Sequence, residues 1–402
     1  MNNIKLDFPI LDKKIRDKAI TYLDSAASTQ KPKQVINSIS EFLENSYENV
    51  HRGMNSLSID ATDLYEKSRD VAKNFINSNS TNEIIFTRGA TDSINIIANS
   101  LAEHLKEGDK IVVTELEHHS NYLPWMNLCK KLGLELKIIP ISKDGILYED
   151  DIINNCDDST KVLSLTHMSN VTGQILDIKK IKKSINKDTY VAVDGCQSIA
   201  HLKIDVKDLD CDFYSFSSHK LYGPSGIGIM YGKEDILNKL NPPTLGGGMI
   251  NEVSSNDFSY AMLPNKFEPG TPSIEAAIGF KTAMEYLNNN NYQDYFLNEK
   301  KLRSTLIKAL REFKEVDIYG SNEDGNATSI VSFNIKNQNF NDIATFLDQY
   351  GIMIRGGHHC CQPFMKKLGI PGSCRVSFGI YNDLNDIDHF IDSLKKTLKL
   401  LQ

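Results

Sequence analysis

The chain contains 402 residues, of which 40% are hydrophobic and 24% are charged, and its formal net charge is −7 at pH 7. This composition is typical of a globular protein with more than one domain, and the acidic balance argues against nucleic acid as the main partner. No apolar run approaches membrane-spanning length, and the amino terminus has no apolar signal core. We therefore expect neither nucleic acid nor a membrane among the partners.

Seven cysteines, an odd number in a long chain, do not suggest a disulfide framework. They indicate a reducing compartment, so we expect a cytoplasmic protein. Cys360 is distinctive because its polar, glycine-rich surroundings predict exposure. Four others resemble small buried hydrophobic residues: Cys129, Cys156, Cys196 and Cys211.

The first 20 residues predict a charged helix, and the small residues of Tyr22–Ser28 follow it. These small residues predict either a tight turn or backbone packed closely against another group. Amphipathic helices are expected at about Gln34–Tyr47 and Leu57–Ile76.

A strand predicted at Ile84–Thr87 leads through a turn of small residues into a helix that begins near Thr91. Free N–H groups at a helix start attract anions, so a phosphate could bind at Ala90 and Thr91. An ordinary helix start would need the same residues, with Thr91 or Asp92 as its cap.

Strands and helices then alternate, which predicts a mostly parallel sheet covered by helices on both faces. The strands are expected at Lys110–Glu115, Leu134–Ile139, Val162–Thr166, Tyr190–Asp194 and Phe213–Phe216, and the helices at Glu149–Asn155 and Lys179–Ile185. Open α/β sheets bind ligands at the carboxyl ends of their strands. Polar residues occur at these ends: Thr87, His118, Asn170, Asp194 and Ser217.

Lys220 follows one buried strand, and Asp194 ends another. A lysine that can form a Schiff base and an aspartate that can pair with a pyridinium nitrogen are the protein's half of a pyridoxal phosphate (PLP) site. His118 would stack on the cofactor ring or be a hydrogen-bonded loop histidine.

The last part of the chain predicts a second domain. Gly246–Gly248 and Asn251–Asn256 predict mobile loop, and a helix at about Ser273–Asn288 is expected to bridge the two domains. We place an amino-terminal segment at residues 1–20, a large domain at 21–272 and a small domain at 273–402. The small domain is expected to contain helices at Asn298–Phe313, Asn341–Tyr350 and from Leu384, and strands at Val316–Tyr319, Thr328–Ile335, Ile352–Arg355 and from Arg375.

The segment Arg355–Pro363 contains the run His-His-Cys-Cys. Four adjacent ligands cannot close a tetrahedron on one zinc ion, so we predict no metal site here. A nucleophilic thiolate at Cys360 fits better, because neighbouring imidazoles and Arg355 would stabilise it. Arg375 could clamp a carboxylate or form a structural salt bridge.

Together these motifs resemble the group II cysteine desulfurases of the SUF-system type, in the fold-type-I PLP-dependent (aspartate aminotransferase) superfamily. The resemblance implies an α/β fold whose large domain has a mostly parallel seven-stranded sheet covered by helices. It also implies a smaller α+β carboxyl-terminal domain, with the amino-terminal segment packing against it. The motifs are Tyr22–Ser28, Arg88–Thr91, Glu117–Asn121, Ser169–Gly173, Asp194–Gln197, Ser217–Pro224, Phe267–Pro272 and Arg355–Cys360.

The resemblance also implies a role for each site residue. PLP would be bound through Lys220, with Asp194 on the ring nitrogen, Gln197 on the ring hydroxyl and His118 stacked on the ring. The phosphate would be held by Ala90, Thr91, Ser217, His219 and, from the second subunit of a homodimer, Thr271. The substrate would be bound by Asn170, Arg355 and Arg375, and its sulfur would pass to Cys360, with His118 as a candidate proton shuttle.

The activity implied is conversion of L-cysteine to L-alanine, with a persulfide that supplies iron–sulfur cluster assembly through a SufE-like or SufU-like acceptor. The alternatives are a selenocysteine lyase acting on L-selenocysteine, a PLP aminotransferase and a non-catalytic scaffold that binds a sulfur carrier. Two residues depart from the common family pattern. Ser218 replaces a glycine, and Cys361 adds a second thiol that could share or scavenge the persulfide.

Overall fold

A computed structural model describes residues 4–290, 292–320 and 326–401 of the chain. The strands are β1 (Lys14–Ile15), β2 (Lys18–Ala19), β3 (Thr21–Tyr22), β4 (Ile84–Thr87), β5 (Lys110–Thr114), β6 (Glu135–Ile139), β7 (Thr160–Thr166), β8 (Tyr190–Asp194), β9 (Phe213–Ser217), β10 (Gly228–Gly232), β11 (Ile250–Val253), β12 (Phe258–Tyr260), β13 (Val316–Tyr319), β14 (Ile330–Ile335), β15 (Ile352–Met353), β16 (Arg355–Gly357) and β17 (Ser373–Ser377). The helices are α1 (Lys33–Asn45), α2 (Ser56–Phe75), α3 (Ala90–Leu101), α4 (Leu123–Leu132), α5 (Glu149–Asn154), α6 (Ile178–Ser184), α7 (Val206–Leu209), α8 (Glu234–Lys239), α9 (Ile274–Asn289), α10 (Tyr292–Leu310), α11 (Phe340–Asp348), α12 (Gln362–Lys367) and α13 (Leu384–Leu401).

The large sheet has seven strands in the order β4-β10-β9-β8-β7-β5-β6. Five of them, from β9 to β6, run parallel, and β10 runs antiparallel to both of its neighbours. The predicted mostly parallel, seven-stranded sheet is therefore confirmed. Because the parallel strands point the same way, Asp194 and Ser217 end at one common edge of the sheet.

The central strands are buried on both faces, as expected for a parallel sheet between two layers of helices. Along β7, Leu163 and Leu165 pack into the core on one face, whereas Val162 packs into the core on the other. Alternate side chains of a strand point to opposite faces, so a nearly continuous apolar run fills both cores.

A second sheet of four antiparallel strands, β13-β14-β17-β16, forms the smaller unit with α10, α11 and α13. The expected small unit of sheet and helices is confirmed. The amino-terminal segment contacts this part of the chain, since Lys5 forms an ion pair with Asp386 of α13 at 2.9 Å and Arg16 forms one with Asp348 of α11. The domain boundaries stay predictions, because α9 lies beyond residue 273 but packs along α1 and α2.

Two local predictions were wrong. The charged amino-terminal helix is instead a pair of 3-10 turns followed by the β1–β2 hairpin, whose two-residue turn has positive φ at Arg16 and Asp17. Part of the predicted loop at Asn251–Asn256 belongs to strand β11, which pairs with β12. Val253 on that strand is 74% exposed, so the hairpin lacks the alternating apolar pattern that marks a strand in a sequence.

None of the helices in the described part of the chain combines the length and the apolar content that crossing a bilayer requires.

A buried ion pair joins α2 to the Phe267–Pro272 loop. Arg69 is fully buried, and its guanidinium donates to the Glu268 carboxylate at 2.6 and 2.9 Å. The same carboxylate accepts a hydrogen bond from the Phe86 N–H at 2.7 Å. This loop is therefore held against strand β4.

Removing this carboxylate leaves a buried charge without its main partner. We predict that Glu268→Ala lowers the free energy of unfolding by about 3 kcal/mol, measured by urea denaturation. The matched control is Glu285→Ala, which breaks a pair with Lys281 on a partly exposed helix surface and should cost less than about 0.5 kcal/mol. Equal losses in the two variants would contradict the prediction.

Candidate active site

A cavity of about 210 Å³ lies at the carboxyl edge of the large sheet. The structure brings most of the predicted site residues together in its lining, and their roles stay predictions. These residues are Ala90, Thr91, His118, Asn170, Asp194, Ser217, His219, Lys220, Arg355 and Arg375. Three predicted residues are not in the lining: Gln197, Thr271 and Cys360.

An amine and a buried carboxylate meet in this cavity. Lys220 ends a short 3-10 turn that follows β9, and its amine has no hydrogen bond or ion pair with the described residues. Asp194 is 5% exposed and accepts a hydrogen bond from the Cys196 N–H at 2.9 Å. This donor set fits PLP, whose aldehyde requires an amine and whose ring nitrogen requires a carboxylate.

The start of α3 forms another wall of the cavity. Gly89, with φ of 147°, is the residue that precedes the helix, so the alternative in which Thr91 or Asp92 caps it is wrong. Asp92 instead pairs with Arg88 at 2.8 Å. The Ala90 N–H donates to the Ser217 hydroxyl at 2.8 Å, which brings the helix start and the end of β9 together. Backbone N–H groups and the helix dipole favour an anion at this position.

His118 is a neutral imidazole. Burial, assisted by the positive charge of Lys220, lowers its pKa to about 3. Its Nδ1 accepts a hydrogen bond from the Ser120 N–H at 3.1 Å, so the ring proton is on Nε2. His219 is similar, since burial and the nearby Lys220 lower its pKa to about 4.

Two arginines lie opposite each other on neighbouring strands of the small sheet. Arg355 on β16 is the direct partner of Arg375 on β17, and both line the cavity. Like charges in directly opposite positions are destabilising, so this pair favours the binding of an anion between them. Arg375 also donates to Asp24 at 2.9 Å and to the Asn170 carbonyl at 3.0 Å. The predicted alternative of a salt bridge is therefore present beside the cavity.

Sequence reasoning assigned no role to Asp24, although it lies within the Tyr22–Ser28 motif. The expectation of closely packed backbone in this motif is met, because Ala26 lines the cavity and its carbonyl accepts a hydrogen bond from Gln197 Nε2 at 2.9 Å. Thr271 lines a separate cavity with Arg88. Its contribution from a partner subunit stays a prediction.

Cys360 lies beside the cavity on a turn that two hydrogen bonds hold in place. The His119 N–H donates to the Cys360 carbonyl at 2.7 Å, and the Asn170 amide donates to the His359 carbonyl at 2.7 Å. Both His359 and Asn170 line the cavity that contains Lys220. The turn that carries the predicted nucleophile is therefore attached directly to the pocket of the predicted cofactor lysine.

The second thiol, Cys361, is fully buried and points away from solvent. Its Sγ is 3.7 Å from the Glu115 carbonyl, and burial raises its pKa far above the usual value for a thiol. It therefore remains protonated and inaccessible.

Within the described residues, no group of three His, Cys, Asp or Glu side chains could hold a metal ion.

Ser218 is the first residue of the 3-10 turn that ends at Lys220, and it is fully buried. Its hydroxyl has no hydrogen-bond partner among the described residues. A Cβ on Gly223 would lie 2.1 Å from this hydroxyl, so the glycine leaves the room that the serine occupies.

The burial difference predicts that only one of the adjacent thiols reacts. We expect iodoacetamide at neutral pH to modify Cys360 and to leave Cys361 unmodified in the folded protein. Fragment-ion mass spectrometry can distinguish the two positions, and both should react in urea as a control. Modification of Cys361 in the folded protein at the rate of Cys360 would contradict the burial argument.

The neutral state of His118 predicts its pH behaviour. Its ring resonances should stay constant between pH 8 and pH 5, as measured by ¹⁵N NMR, because the folded pKa is about 3. The unfolded chain binds this proton below about pH 6.5, so the effect on stability is a loss as pH falls from about 6.5 towards 3. A His118 titration midpoint near 6.5 in the folded protein would show that the ring is not buried as described.

The comparisons with known proteins agree with this site. The aminotransferase class-V family matches residues 21–390. A probable cysteine desulfurase of Staphylococcus epidermidis is 44% identical over 97% of this chain and 95% of its own length, and one of Staphylococcus aureus is 42% identical over 99% and 96%. The apo structure of a cysteine desulfurase from Thermococcus onnurineus has a TM-score of 0.94 and 36% identity, covering 99% of this chain and 98% of its own. A cysteine desulfurase from Escherichia coli in an S-sulfonic acid form has a TM-score of 0.91 and 33% identity, covering 100% and 99%. This chain therefore belongs to the aminotransferase class-V family and, within it, to the cysteine desulfurases.

Proposed function

We propose that this protein is a PLP-dependent cysteine desulfurase that converts L-cysteine to L-alanine and receives the sulfur on Cys360 as a persulfide. The observation that carries the proposal is the attachment of the Cys360 turn to the pocket that contains Lys220 and the arginine pair. The relatives named cysteine desulfurase along nearly the full chain support the same activity.

PLP would be held by Lys220 through its amine and by Asp194 through the ring nitrogen. Its phosphate would bind at the start of α3, near Ala90, Thr91 and Ser217. When bound, PLP supplies an electron sink for negative charge at the substrate Cα. The neutral ring of His118 suits a position against an aromatic face, because a neutral ring can be buried there without the desolvation cost of a charge.

The substrate carboxylate would bind between Arg355 and Arg375, with the amide of Asn170 beside them. An anion at this position relieves the repulsion between two guanidiniums that β16 and β17 hold opposite each other. Asp24 neutralises only part of the charge of Arg375 and leaves Arg355 free for the ligand. In this arrangement the substrate side chain would face the Cys360 turn, because Asn170 also donates to the His359 carbonyl of that turn.

The chain's own residues then account for the transfer. The Lys220 amine, released from PLP when the substrate's own amine takes its place, would take the proton from the substrate Cα. The Cys360 thiolate attacks the substrate sulfur, so an S–S bond forms as the C–S bond breaks. The electron pair of the broken bond stays with the substrate carbon, which gains a proton and leaves as alanine. His118, with its proton on Nε2, is a candidate donor for this step.

The persulfide would pass to a separate acceptor protein of the SufE or SufU type, as in SUF-system iron–sulfur cluster assembly. Helix α12 begins at Gln362, so Cys360 lies on a short turn between two ordered elements. A turn of this length cannot carry sulfur far from the pocket.

The cytoplasmic location and the homodimer are also part of the proposal. All seven cysteines are free thiols, as expected in a reducing compartment. Exposed apolar side chains at Met262 and Val253, close in sequence to Thr271, offer a surface for a second subunit.

Three variants test the chemistry. Lys220→Ala should abolish the borohydride-sensitive absorbance of the purified protein. Cys360→Ala should keep that absorbance but lower alanine release by at least about a hundredfold, since it removes the nucleophile. Mass spectrometry of the cysteine-treated protein should find one added sulfur on Cys360. The control Cys361→Ala should retain persulfide formation. Loss of the persulfide in Cys361→Ala, with retention in Cys360→Ala, would show that the nucleophile is Cys361.

Acceptor dependence has its own test. We predict that a SufE-like or SufU-like protein raises the steady-state rate of alanine release at least about tenfold, because the persulfide otherwise blocks the next turnover. The control is the same acceptor with its receiving cysteine replaced by alanine. Full turnover without any acceptor would contradict this part of the proposal. A comparison of turnover with L-cysteine and with L-selenocysteine distinguishes the selenocysteine lyase alternative.

A further inference from the structure

His359, the residue before Cys360, has a buried ring that is anchored through one nitrogen. Its Nε2 lies 3.0 Å from the Ser373 carbonyl and 3.0 Å from the Ser373 hydroxyl, and the residue is 2% exposed. A carbonyl oxygen can only accept, so Nε2 carries the proton. Nδ1 has no hydrogen-bond partner among the described residues. Burial, together with the charges of Arg375 and Arg355, lowers the pKa of the ring to about 2, so the imidazole is neutral.

The backbone at this turn adopts a conformation that only its surroundings can maintain. His359 and Cys360 have φ values of 52° and 54°, so two consecutive non-glycine residues are left-handed. Such residues persist where neighbouring contacts over-determine them, and they concentrate at functional sites. Hydrogen bonds from Asn170 and His119 hold the two carbonyls of this turn. The only side chain of the turn that reaches β17 by a hydrogen bond in the described structure is that of His359.

We propose that His359 is a positioning residue for the sulfur transfer: its Nε2–H, bonded to Ser373, fixes the place of the Cys360 thiol relative to the arginine pair. Ser373 is fully buried on β17, two residues before Arg375. The ring therefore connects the nucleophile to the same strand that would bind the substrate carboxylate. This inference rests on the proposed desulfurase function.

The two nitrogens of the ring can be separated by substitution. A glutamine amide reaches about as far as Nε2 and can donate to Ser373, whereas an asparagine amide is shorter and corresponds to Nδ1. We expect His359→Gln to keep kcat for alanine release within about threefold of wild type. His359→Asn should lower kcat at least about tenfold with KM changed less than threefold, because a misplaced nucleophile affects the attack rather than substrate binding. His359→Gly should behave like the asparagine variant, although glycine adopts this φ without strain.

The wild-type holoenzyme and one matched control complete the experiment. His201 is also buried, and its Nδ1 lies 2.7 Å from the Glu299 carboxylate, so His201→Gln, whose amide corresponds to Nε2, reports the cost of losing a buried imidazole contact away from the turn. It should lower the unfolding temperature without lowering kcat tenfold. Equal losses of kcat in His359→Gln and His359→Asn would overturn the positioning role. So would full kcat in His359→Gly. Absence of alanine release from the wild-type enzyme would instead contradict the proposed desulfurase function. Failure of the positioning role and failure of the proposed function are therefore distinguishable.

Discussion

The carbonyl of Cys360 accepts a hydrogen bond from the His119 N–H at 2.7 Å, and this contact joins two parts of the chain that are distant in sequence. His119 follows β5 of the large sheet, whereas Cys360 follows β16 of the small sheet. The bond from Asn170 to the His359 carbonyl links the same two regions. The lysine and the thiol come from different sheets, so any chemistry that needs both depends on these contacts.

Burial determines which groups near the pocket carry charge. The same desolvation that makes His118 and His359 neutral lowers the pKa of Arg375 below its usual value, but this guanidinium remains a cation because an arginine does not lose its proton in a protein. The cavity thus combines fixed positive charge with uncharged imidazoles. The carboxylate of an amino acid is favoured there, and the histidines remain neutral near pH 7.

Much of the fold was predictable because its strands are compact apolar runs. The strands at Ile84–Thr87 and Tyr190–Asp194 begin and end where the sequence pattern predicts. The β1–β2 and β11–β12 hairpins were missed since they bury little, and a short exposed strand has no apolar periodicity. Helix α4, with Trp125 fully buried, was also not predicted, because it follows directly on the predicted histidine loop.

The sequence by itself determined the family and the layered α/β architecture, and it predicted the identities of the amine, the carboxylate and the thiol, since each occurs in a local motif with a characteristic residue order. Only the tertiary structure decided that Asp24 pairs with Arg375, that Cys361 is buried while Cys360 is accessible, and that His359 is anchored to Ser373. The physical reason is that accessibility, ionisation and hydrogen bonding depend on the atoms around a side chain. At this site those atoms come from strands and loops that meet only when the chain folds.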